Sequence, residues 1–147
     1  MDDQDRIVVG VDGSPSSRQA LRWAARQAAL TGGTVPALTS SLGWLPPSSG
    51  DEEALEARAR EDLTPCVEET LGAHPSADVR TKVRYGTPAS VLLRAARDAS
   101  LLVVGSRGLG GFAGLLLGSV AQHCVQHAAC PVVVVREDAL TGVGEGA

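Results

Sequence analysis

The stretch Arg6-Ile7-Val8-Val9-Gly10-Val11-Asp12-Gly13-Ser14-Pro15 decides the fold. Its first half is an apolar run without alternation, the pattern of a strand covered on both faces. The run stops at a turn that doubles as a helix start. Ser14 can cap, and Pro15 suits the first helical position, where its missing N–H is not needed. Beyond it, Ala20, Leu21, Ala24, Ala25, Ala28 and Ala29 mark one helical face, with Arg18, Arg22 and Arg26 on the other. Gly32-Gly33 ends that helix.

The same unit recurs along the chain. Thr34 to Thr39 is a second apolar run, in which Pro36 is awkward because proline removes a ladder donor. Trp44 to Gly50 reads as a loop. Asp51 to Leu71 reads as an acidic helix with Leu55, Ala59, Leu63 and Val67 inward, and its Pro65 is expected to kink or divide it. Its many carboxylates form a solvated face. Val79 to Tyr85 alternates with period two, as a half-exposed edge strand does. Gly86-Thr87-Pro88 starts a helix with Val91, Leu92, Ala95 and Ala96 inward, and Leu101 to Val104 is another doubly covered strand. A helix follows from about Gly114 to Ala128, broken by Cys130-Pro131, and Val132 to Val135 is the last strand. The order β-α-β-α-β-α-β-α-β implies right-handed crossovers and a mostly parallel sheet with helices on both faces. No repeat or long linker divides the 147 residues, so residues 1–147 are expected to form a single α/β domain with a frayed tail over 138–147.

Composition narrows the function. The chain is 44% hydrophobic and 20% charged, which excludes wholesale disorder. A formal net charge of −4 provides no basic field for a phosphate backbone, so no nucleic acid is expected as partner. Lys82 is the sole lysine, which removes a P-loop NTPase reading. The acidic start does not resemble a secretory signal, and no apolar run approaches the ~20 residues of a membrane span. Three cysteines, Cys66, Cys124 and Cys130, lack CxxC spacing and are expected as reduced thiols in a cytoplasmic protein. His123 and His127 share a helix face, yet no third ligand accompanies them, so no metal site is assigned.

Chemistry is expected where two strand ends meet. In open parallel sheets ligands sit outside the carboxyl ends of strands, where the strand order reverses. The first strand ends at Asp12-Gly13-Ser14 and the fourth at Gly105-Ser106-Arg107-Gly108. Neighbouring strands would open both loops into one crevice. Six of the 17 glycines fall between Gly105 and Gly118. Glycine lets backbone N–H groups face a phosphate without a Cβ in the way. Gly118-Ser119 would lie near a helix start, where free N–H groups favour an anion. Ser106 and Ser119 offer hydroxyl donors, Arg107 a cation, and Asp12 a carboxylate for a ribose, a base amine or a metal. The plainer alternative is a surface loop whose glycines serve turns and close helix packing.

Val8-Val9-Gly10-Val11-Asp12-Gly13-Ser14, with Gly105, Gly108 and Gly118-Ser119 at their spacing, resembles the ATP-binding branch of the universal stress protein family. Gly86-Thr87-Pro88 and Cys130 to Arg136 extend the resemblance over nearly the whole chain. It implies a Rossmann-like, flavodoxin-like three-layer fold with a five-stranded parallel sheet of order 3-2-1-4-5. It also implies a homodimer, formed through Val132, Val133, Val134 and Val135. Carried over by position, Gly10, Val11 and Asp12 would hold adenine and ribose, with Ser40 beside the base. Val104, Gly105, Arg107 and Gly108 would line the nucleotide, and Gly118, Ser119 and Val120 would take the phosphates. Ser40 stands where the family usually has a small apolar residue, and Ser100 replaces a frequent acidic one.

The expected function is therefore an ATP-binding stress-response regulator, with Mg²⁺ accompanying the nucleotide and occupancy tuning dimer state or partner binding. No catalytic residues are assigned, because rapid phosphoryl transfer needs a positioned nucleophile and charge neutralisation that are not evident. Slow hydrolysis or autophosphorylation at Ser106 or Ser119 stays open. Two alternatives remain. One is a dinucleotide-binding oxidoreductase module, on Gly108, Gly110, Gly114 and a ribose-binding Glu137. The other is a structural homodimer that binds no nucleotide.

Overall fold

The structure, a computed structural model, describes residues 5–41, 52–108 and 117–137. Five strands and four helices alternate: β1 (Ile7–Gly10), α1 (Pro15–Thr31), β2 (Thr34–Ser40), α2 (Glu52–Leu71), β3 (Asp78–Arg84), α3 (Pro88–Ala96), β4 (Leu101–Gly105), α4 (Ser119–His127) and β5 (Val132–Val135). The sheet order is β3-β2-β1-β4-β5 and every neighbouring pair is parallel. The strand order reverses between β1 and β4, so the loops after these two strands face each other as expected. The expected loop at Trp44–Gly50, the helix start at Asp51, the glycines at 110, 111 and 114 and the tail over 138–147 lie outside the described residues.

The sheet's two faces carry two cores. On one, α1 and α2 pack Ala20, Leu21, Ala24, Ala28, Leu63 and Val67 against Ile7, Val9, Val35, Ala37 and Val103. On the other, Val91, Leu92, Ala96, Ala121 and Cys124 of α3 and α4 cover Val8, Leu38, Leu102 and Val104. The alternate residues of β1 divide between the cores, which is why its sequence shows no polar face. Burying a side chain such as Leu21 or Leu102 contributes about 2 kcal/mol. Ala29, expected inward, is exposed.

Both anticipated caps form. Ser14 and Thr87 are extended, and their hydroxyls accept from the backbone N–H of Ser17 and Ser90, with Pro15 and Pro88 beginning the helices. Gly32 closes α1 at φ 74°, a left-handed position that favours glycine.

Three expectations need correction or detail. The last helix starts at Ser119, not near Gly114: Gly118 is extended (φ −72°, ψ 166°), so the apolar character of Leu117 reflects packing against the α3–α4 core and not helix. Pro65 does not divide α2, which runs through it from Glu52 to Leu71 on an exposed position. Pro36 stays inside β2, and its effect is local. The N–H of Thr34 donates to Asp5 and the carbonyl of Leu38 accepts from Val11, so this alternate set of residues faces β1. Pro36 belongs to that set and has no hydrogen to give. The β1–β2 pairing accordingly consists of a bridge at Arg6–Thr34 and a resumption at Val9–Ala37, with nothing between.

No helix among the described residues is long and apolar enough to cross a membrane. Cys66 and Cys124 are buried, Cys130 is partly so, and all three are free thiols. Burial, with Cys130 nearby, pushes the Cys124 thiol up to about 11.

Candidate functional site

The crevice at the end of β1 and β4 is built from the first turn of α1 inward. Asp12 turns back on that helix: its Oδ1 accepts from the Ser14 N–H at 2.9 Å and from the Ser14 hydroxyl at 2.5 Å. Its own N–H donates to Ser17 Oγ at 3.3 Å, and Ser17 Oγ donates to the Ser14 carbonyl at 3.0 Å. Ser16 reaches across to the other loop, donating to the Arg107 carbonyl at 2.5 Å while the Arg107 N–H donates back to it at 3.2 Å. Ser14, Ser16 and Ser17 are buried, so this polar network is shielded and fully engaged.

Gly105 is what allows the two segments to touch. A Cβ there would collide with Ser16 Oγ, and would stand 2.7 Å from the Ser16 carbonyl carbon and 2.8 Å from the Ser17 nitrogen. Its missing side chain is occupied by α1, not left open to a ligand. Gly10 is similar, since a Cβ would come within 2.8 Å of Leu92 on α3. At these two positions the packing explanation for glycine holds.

Gly108 and Gly118 differ, because they bound the crevice itself. A Cβ on Gly108 would lie 2.8 Å from Asp12 Oδ2, and one on Gly118 would lie 3.3 Å from Arg107 Cα. The Gly118 N–H donates to the Ser106 carbonyl at 2.6 Å, and the Ser106 N–H donates to Val135 at 2.8 Å. The first turn of α4 is thereby pinned beside the end of β4, opposite Asp12. Gly118 supplies no side-chain cap to that turn, and Ser119 at its head is exposed. An uncapped helix start carries partial positive charge on its N–H groups.

The other residues singled out from the sequence fall as follows. Val11 is buried and its N–H donates to Leu38 at 2.9 Å; Val104 is buried in β4; Val120 packs on the α3–α4 core. Ser40 ends β2, its hydroxyl donating to the Gly86 carbonyl. Arg107 directs its guanidinium to Glu137 at 3.4 Å, a half-exposed pair. Glu137, the ribose-binding acid of the oxidoreductase alternative, is thus paired with Arg107. The His123 and His127 rings lie 5.6 Å apart between centroids at a tilt of 42°, both exposed. Among the described residues no group of three metal-binding side chains occurs. A separate depression of about 330 Å³ between α3 and α4, lined by Ser90, Leu93, Arg94, Arg97, His127 and Ala129, lies away from the crevice. Sequence reasoning missed Ser16 and Ser17. The Ser-Pro-Ser-Ser run directly after a buried strand was the available signal for both.

Comparison with known proteins places the fold in a family. The model of the universal stress protein family matches residues 4–136. A universal stress protein of Mycolicibacterium smegmatis is 38% identical over 132 residues, covering 88% of this chain and 45% of its own length. The chain therefore spans about half the length of the curated relatives it matches. Among solved structures, a universal stress protein from Lactobacillus plantarum superposes with a TM-score of 0.73 at 23% identity, covering 90% of this chain and 97% of that one. A universal stress protein in complex with cAMP superposes at 0.61 with 28% identity, covering 91% and 98%. The chain belongs to the universal stress protein family.

Proposed function

We propose that the chain binds an adenine nucleotide in the β1–β4 crevice and that occupancy sets its dimer state or partner binding. The observation that carries this reading is the start of α4. It lacks a side-chain cap, its cap residue is a glycine held against Arg107, and it faces the Asp12 carboxylate across Gly108. Phosphate would rest beside Gly118 on the first-turn N–H groups of Ser119 and Val120, the Gly118 N–H being held by the Ser106 carbonyl, and ribose would lie near Asp12. A relative of this fold is in complex with cAMP, which supports an adenine nucleotide as the ligand class. Gly10, Val11, Ser40, Val104, Gly105, Ser106, Arg107 and Gly108 would form the walls.

ATP with Mg²⁺ is the ligand proposed. Mg²⁺ keeps several waters and takes one or two carboxylates beside phosphate oxygens. Asp12, whose Oδ1 already accepts from Ser14, is the carboxylate proposed to stand beside the ion at the crevice mouth. The chain is proposed to act as a binding protein, one unit over residues 1–147, in the cytoplasm. Its homodimer would form through β5, an edge strand whose four valines are all partly exposed.

Calorimetric titration with ATP, AMP and NAD⁺, with and without Mg²⁺, tests the reading. Binding of the adenine mononucleotides in preference to NAD⁺ is expected. Preference for NAD⁺ would favour an oxidoreductase module, and no binding at millimolar nucleotide would leave a structural dimer.

A further inference from the structure

The depression between α3 and α4 gathers positive charge that the nucleotide crevice does not use. One stripe of α3 and its cap residue, Ser90, Leu93, Arg94 and Arg97, forms one wall; His127 and Ala129 at the end of α4 form the other. Its volume of about 330 Å³ is that of a small ligand pocket. Among the described residues no carboxylate lines it, Asp98 beside Arg97 included. Arg18, Arg80 and Arg107 each pair with an acid, whereas neither Arg94 nor Arg97 is in an ion pair among the described residues. In a chain with a formal net charge of −4 this is a local reversal of sign.

Ordinary helix chemistry accounts for part of this charge. Arg94 and His127 stand in the last turns of α3 and α4, where cations offset the helix dipoles. Each dipole end carries about half a negative charge, so the two ends together balance about one cation. Two guanidiniums exceed that before His127 is counted. The Ser90 hydroxyl is spent on the helix cap, donating to the Thr87 carbonyl at 3.1 Å. The groups left for a ligand are therefore the cationic donors, with Leu93 and Ala129 as apolar surface beside them. His127 lies about 12 Å along α4 from Ser119, so an anion here is separate from one at the crevice.

We propose that this depression binds a small phosphate monoester, with the phosphate between Arg94 and Arg97 beside His127, and the carbon body against Leu93 and Ala129. Guanidinium forks match pairs of phosphate oxygens, and a monoester near its second negative charge at neutral pH answers both arginines. The site stands independently of the nucleotide reading above.

NMR titration of the full chain with glycerol phosphate, inorganic phosphate and succinate tests this, read at the His127 ring and the backbone amides of Arg94 and Arg97. Glycerol phosphate is expected to shift all three saturably. It should do so at lower concentration than inorganic phosphate, which lacks a carbon body, or succinate, which lacks phosphate. Arg94→Gln and Arg97→Gln should each weaken that binding about fivefold or more. Melting temperature should move by no more than about 2 °C, because both side chains are exposed and glutamine suits a helix. Preference for succinate, shifts confined to Ser119 and Val120, wild-type binding in both variants, or no saturable shift in the millimolar range each overturns the proposal.

Discussion

Two helices begin at the same crevice with nearly the same backbone and opposite chemistry. The cap residue of α1, Ser14, has φ −71° and ψ 157°; that of α4, Gly118, has φ −72° and ψ 166°. At α1 the cap hydroxyl serves the first turn, Pro15 removes one donor, and Ser16 and Ser17 tie the remainder to Arg107 and Asp12. At α4 the cap residue has no side chain to give. Its extended backbone suits any residue, so conformation does not demand glycine there; proximity to Arg107 Cα and the open first turn account for it. One helix start is finished by its own side chains, whereas the other has no side-chain cap from Gly118, and the proposed nucleotide would supply its partner.

The contrast breaks most visibly at Gly105, the hinge of the finished side. Gly105→Ala forces a methyl into Ser16 and Ser17 backbone. A loss of about 3 kcal/mol is expected, at the upper end for overpacking, read as a drop of about 6–12 °C in melting temperature for a domain of this size. A methyl accepted without loss would mean the α1–β4 contact is looser than described.

Gly118→Asp probes the unfinished side. The new carboxylate can cap α4 and complement its dipole, so stability should hold or rise. Nucleotide affinity should fall at least tenfold through repulsion of phosphate, measured by calorimetry. Unchanged affinity would remove α4 from the site.

Ser14→Ala removes the cap on the finished side and should cost about 1 kcal/mol in urea denaturation. It also frees Asp12 Oδ1 from that hydroxyl, so a change in nucleotide affinity would show that the two helix starts are coupled.

The smallest effect is alkaline. Burial raises the Cys124 thiol to about 11 in the folded chain, from an ordinary value near 9. The unfolded chain therefore releases this proton first as pH rises. Its contribution to stability is complete below about pH 9 and is lost as pH climbs through 11. Melting temperatures between pH 8 and 11 should fall less steeply in Cys124→Ala than in the parent, after normalising each to its own value at pH 8.

How much of this was legible from residues alone depends on range. The β1–α1 unit could be read because the apolar run and the Ser14-Pro15 start are local signals. So could β3 as an edge, from its alternation, although Thr81 on its expected inner set is exposed. The start of α4 could not, because an apolar run ending at Leu117 fits a helix equally well, and only the extended Gly118 shows that α4 begins at Ser119. The glycines between 105 and 118 looked like one phosphate device. Gly105 is answered by α1, about ninety residues earlier in the chain, and no local spacing reveals that contact. Likewise nothing in Ser40-Ser41 tells that the Gly86 carbonyl engages the first hydroxyl while the second is buried without a partner among the described residues.

The missing rung at Pro36 gives the sheet a seam. On one side β2 and β3 are paired from Thr34–Asp78 to Ser40–Arg84; on the other, β1, β4 and β5 form a second ladder set. Between them, the β1–β2 border is fastened only at its ends. Amide exchange along this border should therefore be the fastest within the sheet interior, with the two halves opening as separate cooperative units. A nucleotide bound as proposed, reaching from the start of α4 past β1, would bear on that border and act as a clasp, so the ligand's presence would be written into the mechanics of the sheet.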